Sequence, residues 1–146
     1  MNTDASDAQA LAERVRDGMF VKDASAHLLG LQVTAVSPGH ASVAMTVRAD
    51  MLNGFGLCQG GLIATLADMA FAYACNSCNE LTVASGFDVD LLASARVGDR
   101  LTANAAVVSQ AGRLGLYDVD VRNQAGERVA VFRGRSYRIK GKPVVA

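Results

Sequence analysis

The chain has no tryptophan, only two prolines in 146 residues, and no excess of either charge, since 14 Lys and Arg balance 14 Asp and Glu. The balance removes the broad basic field that holds a nucleic-acid backbone or an anionic membrane, so neither is expected as a partner. A long apolar run is also missing. The most apolar stretch, Gly60 to Cys75, is shorter than the roughly 20 residues of a membrane span and carries Asp68 inside it. The opening segment MNTDASDAQALAERVRDGMF lacks both a basic head and an apolar stretch, so no secretory signal is expected. Three cysteines are too few and odd in number for a disulfide framework, and free thiols fit a reducing, cytoplasmic compartment. What is present is ample core material: 51% of the residues are hydrophobic and 19% charged, which implies one folded domain, 1–146.

Hydrophobic spacing orders the elements. Leu11, Val15 and Met19 recur at helical spacing behind a possible Ser6 cap, so residues 1–22 read as a helical N-terminal extension, with a short second turn ending at Gly30. From Leu31 the period becomes two: Leu31, Val33 and Ala35, then a Pro38-Gly39 turn, then Val43, Met45 and Val47, which together predict a hairpin. Gly60 to Asn76 has no such alternation and reads as a helix buried on nearly all sides. Four strands are expected after it, Thr82 to Leu92, Arg100 to Ser109, Leu114 to Asn123 and Arg128 to Ile139. Short glycine turns join the last three, which makes them antiparallel neighbours. The sum is an α+β architecture, a curved antiparallel sheet of about six strands around one long helix.

Inside that helix Gly61, Thr65, Asp68 and Ala72 form a narrow stripe of small or polar residues on an otherwise apolar cylinder. A carboxylate in such a setting must be hydrogen-bonded, paired with a cation, or kept where its discomfort serves a reaction. Gly60-Gly61 stands where the helix begins. Glycines there either expose amides that could bind a polarised carbonyl oxygen, with the helix dipole aiding, or simply let the loop approach the sheet. Eight residues at ~1.5 Å rise separate Gly60 from Asp68 by roughly 12 Å, too far for both to reach one carbonyl. If both are catalytic, a two-fold-related chain supplies the second.

The run Asn53-Gly54, Gln59-Gly60-Gly61-Leu62-Ile63-Ala64-Thr65-Leu66-Ala67-Asp68, continuing to Ser77, resembles the central-helix motif of hotdog-fold acyl-CoA thioesterases, nearest to the phenylacetate-degradation group. The likeness extends through Val83 to Asp90, Arg96 to Asp99, Gly115 to Val119 and Phe132 to Ser136, and covers roughly 23–139. It implies hydrolysis of an acyl- or aryl-acyl-CoA, with phenylacetyl-CoA-type substrates favoured. It implies Asp68 as the catalytic carboxylate, Gly60 as the amide that polarises the thioester carbonyl, and Asn53 as a polar residue lining the site from the opposing chain. Coenzyme A is then part of the substrate, with no other cofactor and no metal, and the assembly is a homodimer at least, extending to a homotetramer as a dimer of dimers. Gln59 departs from the His of many relatives; it can orient substrate or water but cannot titrate near neutrality. Gly61, Thr65, Ser85 and Arg113 are expected to contact substrate.

Other groups are weaker. Cys75 and Cys78 have metal-site spacing but no second pair, Cys58 has no nearby histidine to activate it, and His27 and His40 read as a helix end and a turn. Arg133 and Arg135 on one face of the last strand, with Arg138 and Lys140 on the other, read as a solvated sheet edge or as contacts for coenzyme A phosphates. A hotdog hydratase and a non-catalytic acyl-CoA binding module are the rival functions. Asp68 argues against the module, since an acyl pocket has no need of a buried charge.

Overall fold

The computed structural model describes residues 3–146. In chain order the elements are α1 (Thr3–Lys22), α2 (Ala24–Leu29), β1 (Gln32–Ser37), β2 (His40–Thr46), a short 3-10 turn (Ala49–Met51), α3 (Gly60–Cys75), β3 (Thr82–Leu91), β4 (Arg100–Ala111), β5 (Leu114–Arg122) and β6 (Arg128–Arg138). The strands form one antiparallel sheet in the order β1-β2-β4-β5-β6-β3, with α3 packed on its inner face. This is the α+β hotdog arrangement expected. The tight turns fall at Gly39, Gly112 and Gly126, all at positive φ, a conformation that costs glycine no Cβ clash.

Small side chains let the sheet bend around the helix. Ala41, Ala103, Ala105 and Ala130 are buried between larger neighbours such as Met45, Leu101, Tyr117 and Phe132. The helix also presses closely at Gly134 on β6, where an added Cβ would lie 2.8–2.9 Å from the ring of Phe71. Phe71 completes a ring cluster with Tyr117 at 5.5 Å and Phe132 at 5.9 Å between centroids.

Three expectations change. Helix α3 is not buried on all sides: Ile63, Leu66, Ala67, Ala70, Phe71 and Ala74 face the sheet, while Gly61 is exposed and Thr65, Asp68 and Ala72 are half-buried. Composition alone understates this, because Asp68 is the one charged residue on the open face and its neighbours there are small or only mildly polar. Ser6 does not cap α1, which already runs from Thr3; burial of Ala12 and Val15 anchors that helix. The clear cap belongs to α2, where Asp23 accepts from the Ala26 amide at 3.1 Å, and the Tyr73 hydroxyl donates to the same carboxylate at 3.0 Å, tying α3 to the N-terminal helices.

The third change concerns the basic strand. β6 lies between β5 and β3, so it is no edge; the edges are β1 and β3. Its outward arginines are paired: Arg133 with Asp118 at 2.7 Å, Arg135 with Asp88 at 2.8 Å, and Arg128 with Asp120 at 2.7 Å, where Arg122 also binds at 2.6 Å. The Arg133 fork holds the Asp118 carboxyl below its ordinary pKa. Edge strand β3, by contrast, leaves Val83, Phe87 and Leu91 about half exposed.

Candidate active site

The loop before α3 is built by Asn53. Its Oδ1 accepts from the amides of Phe55 at 2.9 Å and Leu57 at 3.2 Å, and its own amide donates to the Leu57 carbonyl at 2.7 Å. The acceptor is thereby occupied within the loop, and the Nδ2 donor is what remains for a ligand. The Cys58 amide donates to Ala95 O at 2.8 Å and the Gln59 amide to Met51 O at 2.9 Å, which fixes where α3 starts.

At that start the Gln59 carbonyl accepts from Leu62 at 3.0 Å and Ile63 at 3.4 Å, while the Gln59 side chain is exposed and makes no cap bond. Among the described residues the amides of Gly60 and Gly61 have no acceptor, as the first amides of a helix lack one by geometry. The two glycines differ. A Cβ at Gly60 would come within 2.5 Å of Leu91 Cδ1, whereas one at Gly61 would meet nothing within 4 Å. Of the two readings left by sequence, Gly60 serves close approach and also presents a free amide; Gly61 presents its amide into open space.

Asn53, Gly60, Ile63, Leu91 and Ser94 line a depression of about 280 Å³ at this end of the helix. Cys58, weighed from sequence only as a nucleophile, lines it too, and Leu91 and Ser94 are site residues that sequence reasoning missed. The signal available for Leu91 was its pair with Leu92, since two adjacent leucines cannot both point inward from one strand. Larger depressions lie on the outer sheet face, one of about 510 Å³ lined by the paired charges Asp118, Asp120, Arg128 and Arg133. The carboxylates of that depression are held by arginines apart from the exposed Asp90, so the half-buried, unpaired carboxylate of α3 is the better chemical marker.

Asp68 sits two helical turns further along, on the open face. Among the described residues it has neither a hydrogen-bond nor an ion-pair partner, and desolvation pushes its carboxyl above the ordinary aspartate pKa. Of the three fates open to it from sequence, the first two are absent. Thr65, beside it on the stripe, turns its hydroxyl back to Gly61 O at 2.8 Å. Ser85 is exposed on β3 and donates to Arg135 O at 3.2 Å. Arg113, in the β4–β5 turn, donates to the Tyr137 hydroxyl at 3.1 Å and has no carboxylate partner.

The candidates therefore separate along one axis. Asn53, Gln59, Gly60 and Gly61 cluster at the N-terminal end of α3, where β3 ends at Leu91. Ser85 and Arg113 lie toward the opposite end, where Thr82 pairs with Arg138 and Leu114 with Tyr137. Asp68 lies between. Within one chain they are not brought together around a single substrate atom. The cysteines are unlinked, with Cys58 and Cys75 buried and their thiols pushed upward by desolvation, Cys75 to about 12, which suits packing and not nucleophilic attack.

Comparison with known proteins agrees with the fold. Residues 55–130 match the family model of the thioesterase superfamily. An Escherichia coli protein named acyl-coenzyme A thioesterase PaaI is 47% identical over 123 residues, covering 84% of this chain and 88% of its own. The structure of the Escherichia coli PaaI protein from the phenylacetic acid degradation operon superposes with a TM-score of 0.90 at 44% identity, covering 92% of this chain and 97% of that one. A Streptococcus mutans protein solved bound to acetyl CoA superposes with a TM-score of 0.73 at 25% identity, covering 77% and 90%.

Proposed function

The chain belongs to the thioesterase superfamily, and from that membership we propose that it hydrolyses acyl-CoA thioesters to free acid and coenzyme A, with phenylacetyl-type esters favoured. The observation that carries the reading is Asp68: a half-buried carboxylate without a partner, on the open face of a helix whose first amides are also free. Isolating a charge in that way costs stability, and a reaction supplies the compensating need.

In this reading the Gly60 amide, with Gly61 beside it, binds the thioester oxygen as negative charge grows on it. Asp68 takes a proton from water as it attacks the carbonyl carbon, or attacks that carbon itself; the C–S bond then breaks and the coenzyme A thiolate leaves, and in the second route water cleaves the mixed anhydride so formed, releasing the acid and restoring Asp68. Hydrolysis in heavy-oxygen water tests the routes, because label in Asp68 arises only from the anhydride, when water cleaves it at the Asp68 carbonyl. Asn53 donates through Nδ2, Gln59 orients, Thr65 and Ser85 border the acyl group, and Arg113 meets coenzyme A phosphate. Coenzyme A enters as substrate; no resident cofactor or metal is proposed.

The two halves of the machinery meet across a two-fold axis. The open edge of β3, with Val83, Phe87 and Leu91 exposed, is suited to antiparallel pairing with a second copy of itself. Such pairing sets the N-terminal end of one α3 against the Asp68 region of the other, which closes the ~12 Å gap along one axis. A tetramer is then a dimer of such dimers. One domain, 1–146, carries the activity with residues 1–22 as an extension, in the cytoplasm, where the thiols stay reduced. The deciding experiment is thiol release from a panel of CoA esters. Rapid turnover supports the hydrolase, tight binding without turnover supports a binding module, and double-bond hydration supports a hydratase.

A further inference from the structure

Phe87 is an aromatic side chain on the inner face of an edge strand, and one side of it is already fixed. Its ring stacks on Phe132 with centroids 4.8 Å apart and planes 27° from parallel, and Phe132 in turn meets Phe71 of α3 at 5.9 Å. Phe71 is held by the missing Cβ of Gly134, the residue that pairs with Phe87 in the sheet register. The ring plane of Phe87 is thus set by a chain of contacts anchored in the core, yet Phe87 itself is 42% exposed. A large, oriented, half-bare aromatic surface is what an offset-stacked aromatic ligand recognises.

The helix tells which ligand. Asp68 precedes Phe71 by three residues, so the two lie on adjoining positions of one flank of α3. Phe71 points down to β5 and β6, and the next step around the helix, away from the sheet, carries Asp68. The bare side of Phe87 therefore borders the strip of inner sheet surface left open below the Asp68 flank. No titratable side chain interrupts the inner face of β3 there: Phe87, Val89 and Leu91 point in, while Asp88 and Asp90 point out, Asp88 held by Arg135 at 2.8 Å.

From this arrangement, and resting on the hydrolase reading above, we infer that Phe87 selects an aromatic acyl group, stacking its ring on the acyl ring while the carbonyl carbon lies at Asp68. The occupant is an aryl ring separated from the thioester by a short linker. A straight aliphatic chain of equal length fills the same strip but gains no stacking, so discrimination resides in Phe87 and not in the depth of the cleft. Pairing along the β3 edge encloses the strip and excludes water from it.

The test compares wild type with Phe87→Leu and Phe87→Tyr on phenylacetyl-CoA and hexanoyl-CoA, measuring kcat/KM. The dissociation constants of the corresponding non-hydrolysable thioethers are measured in parallel. Sedimentation of each variant shows whether assembly has changed. Phe87→Leu is expected to lower the aromatic-to-aliphatic ratio about fivefold in both kcat/KM and affinity, and Phe87→Tyr, which keeps the ring, to preserve it. An unchanged ratio, or an equal loss for both ligands, overturns the inference and leaves Phe87 a packing or interface residue. If the wild type hydrolyses neither ester while the thioether ratio still moves with Phe87, the hydrolase reading fails and the aromatic selectivity stands.

Discussion

Asp68 combines two properties that a single substitution separates. Asp68→Asn keeps the shape and the hydrogen-bonding capacity but removes the proton acceptor, so kcat is expected to fall by at least ~10²-fold, the usual scale for a general base. The burial that pushes its carboxyl upward also sets a pH dependence. The folded chain holds the Asp68 proton to higher pH than the unfolded chain does. Wild type should therefore match Asp68→Asn in stability below the ordinary aspartate pKa and fall behind it as pH rises through the folded value. Activity runs the opposite way, and the acidic limb of kcat/KM should lie above the ordinary aspartate range. Thermal melts and rates across pH 3–8 check both. Gln59, exposed and without a cap bond, is expected to be worth about one hydrogen bond. Gln59→Ala should cost about tenfold in kcat/KM, and Gln59→His should be tolerated. A dead Gln59→Ala beside an intact Asp68→Asn would reverse the roles. At this scale the sequence was most legible for Asp68, since a lone charge in an apolar helix has few explanations. It was least legible for Asn53, whose loop-building bonds depend on the chain turning back at Leu57, which composition does not specify.

The elements were legible wherever periodicity was strict. The hairpin of β1 and β2 and the strands β3 to β6 fall within one or two residues of their expected bounds, helped by the turn glycines at 39, 112 and 126 that join β1 to β2, β4 to β5 and β5 to β6. Strand order was not: placing β3 beside β6 depends on the crossover through α3, a long-range event with no local signature. The same limit hid the pairing of the β6 arginines, whose partners Asp88 and Asp118 lie on neighbouring strands. Helix α3 touches the sheet closely where Phe71 occupies the space over Gly134. Gly134→Ala is therefore expected to destabilise by about 1–3 kcal/mol through overpacking, and Phe71→Leu to recover part of that loss in a double-mutant cycle read by denaturant unfolding. The glycines at the start of α3 should divide in the same manner. Gly61→Ala, with nothing within 4 Å, should leave the fold intact, whereas Gly60→Ala must displace Leu91 and distort the depression it lines.

For the molecule as a whole, the separation of Asn53 and Gly60 from Asp68 predicts that activity is a property of a pair of chains. An inactive Asp68→Asn chain mixed with an inactive Asn53→Ala chain, under conditions that allow subunits to exchange, should regain activity. Each mixed dimer carries one site with both defects and one with neither, so a pure heterodimer has at most about half of wild-type activity and a random mixture about a quarter. No recovery despite verified exchange, or full activity in a sedimenting monomer, would refute the shared site.

The arginines and aspartates of the outer sheet face are matched one against another within the sheet itself. A polyanionic molecule diffusing toward this surface consequently meets little field beyond a Debye length, about 8 Å at physiological salt. Encounter is then governed by diffusion and by local contacts with cations that have no carboxylate partner among the described residues, Arg113 among them, and not by long-range steering. A shallow dependence of kcat/KM on ionic strength is the kinetic mark of such a surface, and it leaves the short-range fit of the acyl group to decide which thioesters are turned over.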